Sequence, residues 1–309
     1  MKPAPEFMVR AATLVIVMML APLIPGIASR TRSILTARRG APVWQLYSDL
    51  WKLLRRGTVY SRATTVVFRL VPIALLACVV VAALMLPLDG RSAMLRFPGD
   101  VVAFAYVLAL GRFVLVLGAL DTGSSFEGMG ASREVTFAAL VEFGFFIALA
   151  SLSVATHELS LSGMLGSPAL ARTWSSSAPA VIMIVGGLFV LLLAECSRSP
   201  VDDPATHLEL TMIHEVMVLD HSGPDLAMIL YASALKLSVI GALLARVAMP
   251  AAELSYAMRL GVLVAGLFAI GVGIGVVESA MARLRLPKVP LYIAGGSALP
   301  AFALILLLQ

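Results

Sequence analysis

The chain has 309 residues, of which 60% are hydrophobic and only 13% carry a formal charge. Soluble globular chains are about 45–50% apolar and about 25% charged, so these values exclude a soluble enzyme, a disordered chain and a nucleic-acid-binding module. The net charge of +5 is therefore informative through its distribution rather than its total. We predict an all-α, polytopic integral membrane protein that forms a single transmembrane domain over residues 1–309.

Eight apolar runs are long enough to cross a bilayer, which requires about 20 apolar residues per helix. Because the runs are continuous rather than alternating, they favour helices over the strands of a barrel. The runs cover residues 8–27, 66–86, 101–120, 136–156, 179–195, 226–249, 258–281 and 289–308. Arginines directly follow the first run, so we expect a retained helix there rather than a cleaved signal peptide.

The positive charges are unevenly distributed between the two sides of the predicted bundle. Thirteen lysines and arginines fall in the loops after the first, third, fifth and seventh runs, against four on the opposite side. Loops rich in lysine and arginine stay in the cytoplasm. We therefore expect both termini to lie outside the cytoplasm.

The first basic loop contains an amphipathic stretch over residues 38–57, in which Trp44 and Trp51 flank a leucine-rich face. A basic helix that carries tryptophan is typical of the membrane interface. The same face is suited to docking a soluble partner. The sequence leaves both interpretations open.

The segment 121–142 contains the carboxylates Glu127, Glu134 and Glu142 beside Arg133. Glu142 lies about two turns inside the fourth run, where a carboxylate is costly and usually faces the bundle interior or a water-filled cavity. Glu134 and Glu142 are eight residues apart and share roughly one helical face. The position of Glu142 favours a proton-exchanging role for this residue. The alternative is that Glu134 pairs with Arg133 and that packing partners satisfy Glu142.

The loop after the fifth run is strongly acidic, with seven carboxylates over residues 195–225 against the single Arg198. Asp203 followed by Pro204 is a favourable helix start, with a capping side chain and a proline at the first helical position. Apolar residues then recur at helical spacing, which predicts an amphipathic helix over 203–220, lying under the bundle.

Three further charges lie inside predicted helices. Lys236 lies near the middle of the sixth run, too far from either end for its ammonium to reach water easily. It is therefore suited to pair with a carboxylate of a neighbouring helix. The sequence leaves the roles of Arg112 and Arg246 open, with structural ion pairs as one interpretation.

The chain lacks the patterns that hold metals or cofactors. His207, His214 and His221 are seven residues apart, which on a helix separates them by two turns, too far to share a metal. Two cysteines are too few for a cluster or a disulfide framework. The glycine-rich stretch 271–277 lacks the strand and turn of a phosphate loop and indicates close helix packing. We predict no metal site and no catalytic residue.

Several short motifs occur together in chain order. Ala194, Glu195, Arg198, Pro200 and Asp202 match the pattern Ala-Glu-x-x-Arg-x-Pro-x-Asp. In this motif and the other short patterns the chain resembles membrane subunit 1 of respiratory complex I and its hydrogenase relatives. The other matching residues are Glu209 in a later acidic position, the turn 38–42 with one inserted or shifted residue, Asp49, Lys52, Arg133, Glu134 and Glu142.

Within that superfamily, residues 200–212, PVDDPATHLELTM, are similar to the branch of formate hydrogenlyase and group 4 nickel–iron hydrogenases. The complex I branch carries a glutamate where this chain has His207, and Ala-Glu-Tyr where it has residues 229–231. Because these acidic residues are missing, the resemblance does not imply that this chain has the complete quinone chamber and row of glutamates of complex I. Lys236 can supply a charge in their place.

The resemblance implies a non-redox membrane anchor of a formate hydrogenlyase-like or energy-converting hydrogenase complex in a prokaryotic plasma membrane. It implies partner subunits that hold the metal centres: a nickel–iron large subunit and an iron–sulfur small subunit, beside antiporter-like membrane subunits. It implies a proton or ion path through Glu134, Glu142, Glu195, Asp202, Glu209 and Lys236. It implies a partner interface at Arg39, Asp49, Lys52, Arg133, Arg198, Asp203, Glu215 and Asp220.

Two alternatives remain at this stage. A quinone-binding subunit of a complex I-like oxidoreductase would need an apolar chamber between the first helix, the sixth helix and the first amphipathic helix. An independent secondary transporter would show internal repeats or broken helices in matching halves, and neither is evident in the sequence. The electron donor and the coupling ion are left open.

Overall fold

A computed structural model describes residues 6–166, 168–202, 212–251 and 253–308. These residues form twelve α-helices and two 3-10 turns, and none of them lies in a strand. The helices are α1 Glu6–Leu20, α2 Leu23–Leu35, α3 Gln45–Leu54, α4 Val66–Met85, α5 Asp100–Asp121, α6 Ser125–Thr156, α7 Leu161–Gly166, α8 Pro168–Ser176, α9 Ala178–Glu195, α10 Gly223–Ala248, α11 Tyr256–Ala280 and α12 Val289–Leu308. The 3-10 turns are Glu215–Val218 and Leu286–Lys288.

Eight helical segments of the described chain are long and apolar enough to cross a membrane, which confirms the predicted polytopic helical fold. The first span runs through both α1 and α2, and the fourth is the whole of α6, which begins at Ser125 rather than near residue 136. The extra turns of α6 carry Glu127, Arg133 and Glu134, so these charges belong to a helix rather than to a loop.

Consecutive spans alternate in direction, so segments 36–65, 122–124 and 281–288 emerge at one end of the bundle, together with residues 196–202 and 212–222. We call this end the basic end, because it carries the lysine- and arginine-rich loops. The deeply buried α10 lies at the centre of the bundle and packs against α2, α3, α4, α9 and α11.

The first span breaks between α1 and α2 because Pro22 has no N–H for the carbonyl one turn earlier. That carbonyl, on Met18, instead accepts a hydrogen bond of 3.0 Å from the Tyr231 hydroxyl of α10. The Tyr47 hydroxyl of α3 donates to the neighbouring carbonyl of Met19. Two tyrosines thus satisfy the backbone that the proline frees, and they tie α10 and α3 to the break.

Close packing of α11 on α2 depends on glycine, as the sequence predicted for residues 271–277. A Cβ atom added at Gly275 would lie 2.5 Å from the carbonyl oxygen of Ala28. One added at Gly271 would lie 3.2 Å from the Ile27 side chain. The two backbones therefore approach each other more closely than any larger residue would permit.

The loop after α9 is held at both ends by one aspartate. Asp202 Oδ2 accepts hydrogen bonds of 3.1 Å from the backbone N–H groups of Ile213 and His214, and Asp202 Oδ1 lies 2.8 Å from Arg283. Half of the predicted amphipathic helix over 203–220, including Asp203, His207 and Glu209, lies outside the described residues. The described remainder contains the single 3-10 turn Glu215–Val218.

Candidate functional site

Arg112 of α5 is the centre of a buried charge cluster. Its side chain is 6% exposed, and its three nitrogens point to three different carboxylates. Nη1 donates a hydrogen bond of 2.9 Å to Glu142, Nη2 pairs with Glu195, and Nε lies 3.4 Å from Glu134. One guanidinium therefore gathers carboxylates from α6 and from the end of α9.

Lys236 supplies the second positive charge. Its Nζ atom lies 2.7 Å from Glu195 Oε1 and donates a hydrogen bond of 3.0 Å to the backbone carbonyl of the same residue. Glu195 is the last residue of α9, where backbone carbonyls have no helical partner and favour a cation. Lys236 thus binds both the side chain and the helix end.

The helices explain why these groups meet. Glu134 and Glu142 share a face of α6 that packs against α5, and two helical turns between them leave room for the guanidinium of Arg112. Lys236 lies midway along α10, which packs against α9. Each charged side chain therefore projects from a span into the interior of the bundle, where isolated charges are costly and paired ones persist.

Glu142 differs from the other members of the cluster in its exposure. Its side chain is 39% exposed, against 13% for Glu134 and 7% for Glu195. It lines a small pocket between α5 and α6, beside Ala105 and Phe146. Glu142 is therefore the edge of the cluster, and Glu134 and Glu195 form its interior.

A cavity of about 220 Å³ adjoins the cluster toward the basic end. Its polar wall contains Arg112, Glu134, Glu195, Arg198, Asp202, His214, Glu215 and Lys236. Its apolar wall includes Pro25 of α2, Leu46 of α3, Leu75 of α4 and Leu230 of α10. A liquid water occupies about 30 Å³, so the cavity can hold several waters or one small amphipathic group against the buried charges.

The structure brings together four of the six residues predicted for an ion path: Glu134, Glu142, Glu195 and Lys236. Asp202 lies on the same cavity but serves as the loop clamp described above, and Glu209 lies outside the described residues. The alternative pairing of Glu134 with Arg133 does not occur in the described structure: Arg133 donates to the backbone carbonyl of Met212 at 3.1 Å and approaches the sulfur of Met129.

Sequence reasoning missed the central role of Arg112, for which a structural ion pair was one interpretation. The signal was present, since an arginine inside one apolar run and a glutamate inside the next have to find partners within the bundle. Its threefold pairing was not visible, because it depends on how α5, α6 and α9 face each other.

Six of the eight predicted partner-interface residues fall into two groups. Arg39, Lys52 and Asp220 are exposed, and Asp49 lies beside Lys52 at 3.5 Å on α3. Arg198 pairs with Glu278 of α11 at 3.4 Å, and Glu215 lines the cavity. Arg133 is partly buried at the loop, and Asp203 lies outside the described residues. The first group is available to a partner, whereas Arg198 and Glu215 face inward.

Two titratable groups beyond the spans face the same region. Burial disfavours the imidazolium of His214 and lowers its pKa to about 4, with Lys236 lowering it further and Asp202 opposing the shift. Burial raises the pKa of the Cys196 thiol to about 12. Both groups are thus uncharged near neutral pH. Among the described residues, no three histidine, cysteine, aspartate or glutamate side chains are grouped to hold a metal ion.

Comparisons with known proteins give a consistent set of similarities. A family model described as NADH dehydrogenase matches residues 8–308. The chain is 34% identical over 283 residues to hydrogenase-4 component C of Escherichia coli K12, covering 89% of this chain and 87% of that protein. It is 32% identical over 278 residues to formate hydrogenlyase subunit 4 of the same organism, covering 87% and 88% respectively.

A solved structure shares the fold. A chain in the structure of the membrane-bound sulfane sulfur reductase, an archaeal respiratory membrane complex, superposes with a TM-score of 0.83 at 16% identity. The similarity covers 97% of this chain and 99% of that chain.

Proposed function

Because the chain belongs to the NADH dehydrogenase family, whose model it matches over residues 8–308, we propose that it is a non-redox membrane subunit of a hydrogenase or formate hydrogenlyase-like complex. In this role it anchors the soluble redox subunits and couples their electron transfer to proton or ion movement. The two curated relatives support the hydrogenase branch, since one is a hydrogenase-4 component and the other a formate hydrogenlyase subunit.

The observation that carries the coupling role is the cluster of Arg112, Lys236 and three glutamates inside the spans. Ionisable residues at membrane depth are rare and typically mark ion pathways. Here the carboxylates share cations rather than holding one each, so small changes in the surroundings can redistribute a proton among them. The adjoining cavity offers water a place beside Glu134 and Glu195.

We propose that the basic end binds the soluble partners. Exposed Arg39, Lys52 and Asp220 lie there, and the exposed Trp44 and Trp51 of α3 add aromatic surface. The partners would be the nickel–iron large subunit and the iron–sulfur small subunit, which hold all the redox centres. Antiporter-like membrane subunits would pack beside the bundle and continue the ion path.

A quinone-reactive complex is the second candidate function, and the cavity is the observation that favours it. Its apolar wall lies between α2, α3 and α10, where such a chamber is required. Its volume of about 220 Å³ is below the roughly 300–1,000 Å³ of ordinary ligand pockets. Quinone in extracts of the purified complex, together with quinone reduction that a Leu230→Trp variant abolishes, would support this candidate over the first.

Purification of the tagged chain from native membranes in mild detergent tests the first candidate. We expect nickel, iron–sulfur clusters and a nickel–iron subunit to co-purify, together with hydrogen evolution in the isolated complex. A stable complex that contains no nickel–iron partner and evolves no hydrogen would contradict the proposal.

A further inference from the structure

The charges in the cluster do not balance when every group is ionised. Arg112 and Lys236 supply two positive charges, and Glu134, Glu142 and Glu195 supply three negative ones. In a medium of low dielectric constant an uncompensated charge is costly, and a carboxylate that lacks a cation of its own takes up a proton instead. The five groups therefore balance when they hold one exchangeable proton.

The geometry separates Glu195 from the other two carboxylates. Each oxygen of Glu195 has its own cation, with Oε1 at 2.7 Å from Lys236 and Oε2 at Arg112. Among the described residues, Arg112 is the one cation within 4 Å of Glu134 and of Glu142, and its Nε atom, which faces Glu134, makes no hydrogen bond there. Glu195 is therefore the carboxylate that loses most by accepting a proton.

The neighbouring charges do not alter this count by much. Arg198 pairs with Glu278 of α11 at 3.4 Å, and Arg283 pairs with Asp202 at 2.8 Å, so each of these four charges has an opposite charge beside it. His214 and Cys196, which flank the cluster, are uncharged near neutral pH. Glu215 lines the cavity from the 3-10 turn.

We propose that Lys236 sets the number of exchangeable protons in this cluster at one, by holding Glu195 ionised and leaving the proton to Glu134 and Glu142. This inference rests on the proposed coupling function and specifies which groups carry the proton. Lys236 acts through Glu195 and is a positioning residue. Glu134 and Glu142, which both face Arg112, share the proton.

The proposal predicts what each charge change does to the proton count. Lys236→Met leaves one cation against three carboxylates, so a second proton binds and Glu195 becomes protonated. Lys236→Arg keeps the charge and the count of one. Glu142→Gln leaves two carboxylates against two cations and holds no proton. The double variant Lys236→Met with Glu195→Gln has one cation and two carboxylates, which restores the count of one.

Infrared difference spectroscopy of the intact purified complex at rest measures this count. The readout is the carbonyl stretch of protonated carboxyl groups that shifts on exchange into deuterium oxide, with the Glu142→Gln spectrum subtracted as the blank. We expect the band of Lys236→Met to be twice that of the wild type, and the bands of Lys236→Arg and of the double variant to equal it. A band of wild-type size in the Lys236→Met variant, or a band of twice that size in Lys236→Arg, would overturn the proposal.

Two features keep the test decisive. If the Lys236→Met complex does not assemble, the Glu195→Gln variant replaces it in the test. This variant has two carboxylates against two cations, so we expect it to lose the infrared band. An unchanged band would overturn the proposal. Because the spectra need no turnover, a complex without hydrogenase activity would contradict the proposed function while the band still reports the proton count. An active complex with an unaltered band in Lys236→Met would contradict the inference about Lys236 alone.

Discussion

The guanidinium of Arg112 organises acids that lie far apart in the chain. Glu134 and Glu195 are separated by 61 positions, yet both approach the same side chain. A buried ion pair contributes little net stability, and its removal is costly because the remaining charge has no partner. The retention of five such groups inside the spans therefore favours a functional role over a stabilising one.

His214 should make the protein less stable in acid. Its pKa is lowered to about 4, so the unfolded chain takes up a proton first as the pH falls below about 6.5. The contribution to stability is complete above pH 6.5 and falls as the pH drops to about 4, by roughly 2 kcal/mol after allowance for its partial exposure. Thermal unfolding in detergent at pH 7 and pH 4.5 measures the loss.

The His214→Gln variant should lose most of this pH dependence. The exposed His157 offers a matched control: His157→Asn suits its left-handed backbone and should leave the dependence unchanged. Equal pH dependence in the wild type and in His214→Gln would refute the assignment to His214.

Asp202 should be required for assembly with partners, because it clamps the loop at the basic end. Asp202→Asn removes the ion pair with Arg283 and weakens the acceptor for two backbone N–H groups, at a cost of about 3–5 kcal/mol to the loop conformation. We expect fewer partner subunits to co-purify with the tagged chain. Arg283→Met should give a similar loss, and the double variant little more. Full recovery of partners with Asp202→Asn would contradict this role.

At the scale of helices, small residues and prolines decide the geometry that positions the site. The α1–α2 break exposes carbonyls that Tyr47 and Tyr231 satisfy, and these contacts hold α3 and α10 in place around the cavity. Hydropathy predicted an uninterrupted first helix over 8–27, because a sliding apolar count does not register the N–H that Pro22 lacks.

Gly275 and Gly261 provide a matched pair within α11. Gly275→Ala should destabilise the α2–α11 contact by about 1–3 kcal/mol, because its Cβ would meet the carbonyl of Ala28. The Cβ atom that Gly261→Ala adds has no neighbouring atom within 4 Å among those compared. This substitution should therefore leave the free energy of unfolding unchanged or raise it by up to about 1 kcal/mol. Thermal unfolding of the two variants in detergent compares them, and equal midpoints would argue against close packing at Gly275.

At the scale of the whole molecule, the distribution of basic residues predicts that both termini lie outside the cytoplasm. A C-terminal fusion to alkaline phosphatase, which is active only outside the cytoplasm, should therefore be active. The same fusion to green fluorescent protein, which fluoresces only inside, should be dark. A fluorescent green fluorescent protein fusion together with an inactive phosphatase fusion would contradict this orientation and would indicate that the basic end lies outside the cytoplasm.

The sequence predicted the helical class, the eight spans and most of the charged cluster, because each rests on local composition. Glu142 and Lys236 were recognisable as charges inside apolar runs. The partners of those charges were not, since they depend on the rotation of each helix about its axis. The loop clamp at Asp202 was equally hidden, because its partners Ile213 and Arg283 are 11 and 81 positions away.

The most direct test of the coupling role is to reconstitute the purified complex into proteoliposomes and to measure ion movement and hydrogen evolution together. Glu142→Gln should assemble normally and lower coupled turnover by a factor on the order of 100, the usual range for loss of a proton-transferring group. The exposed Glu158→Gln is the control and should behave as the wild type. Unchanged hydrogen evolution and unchanged ion movement in Glu142→Gln would contradict the account.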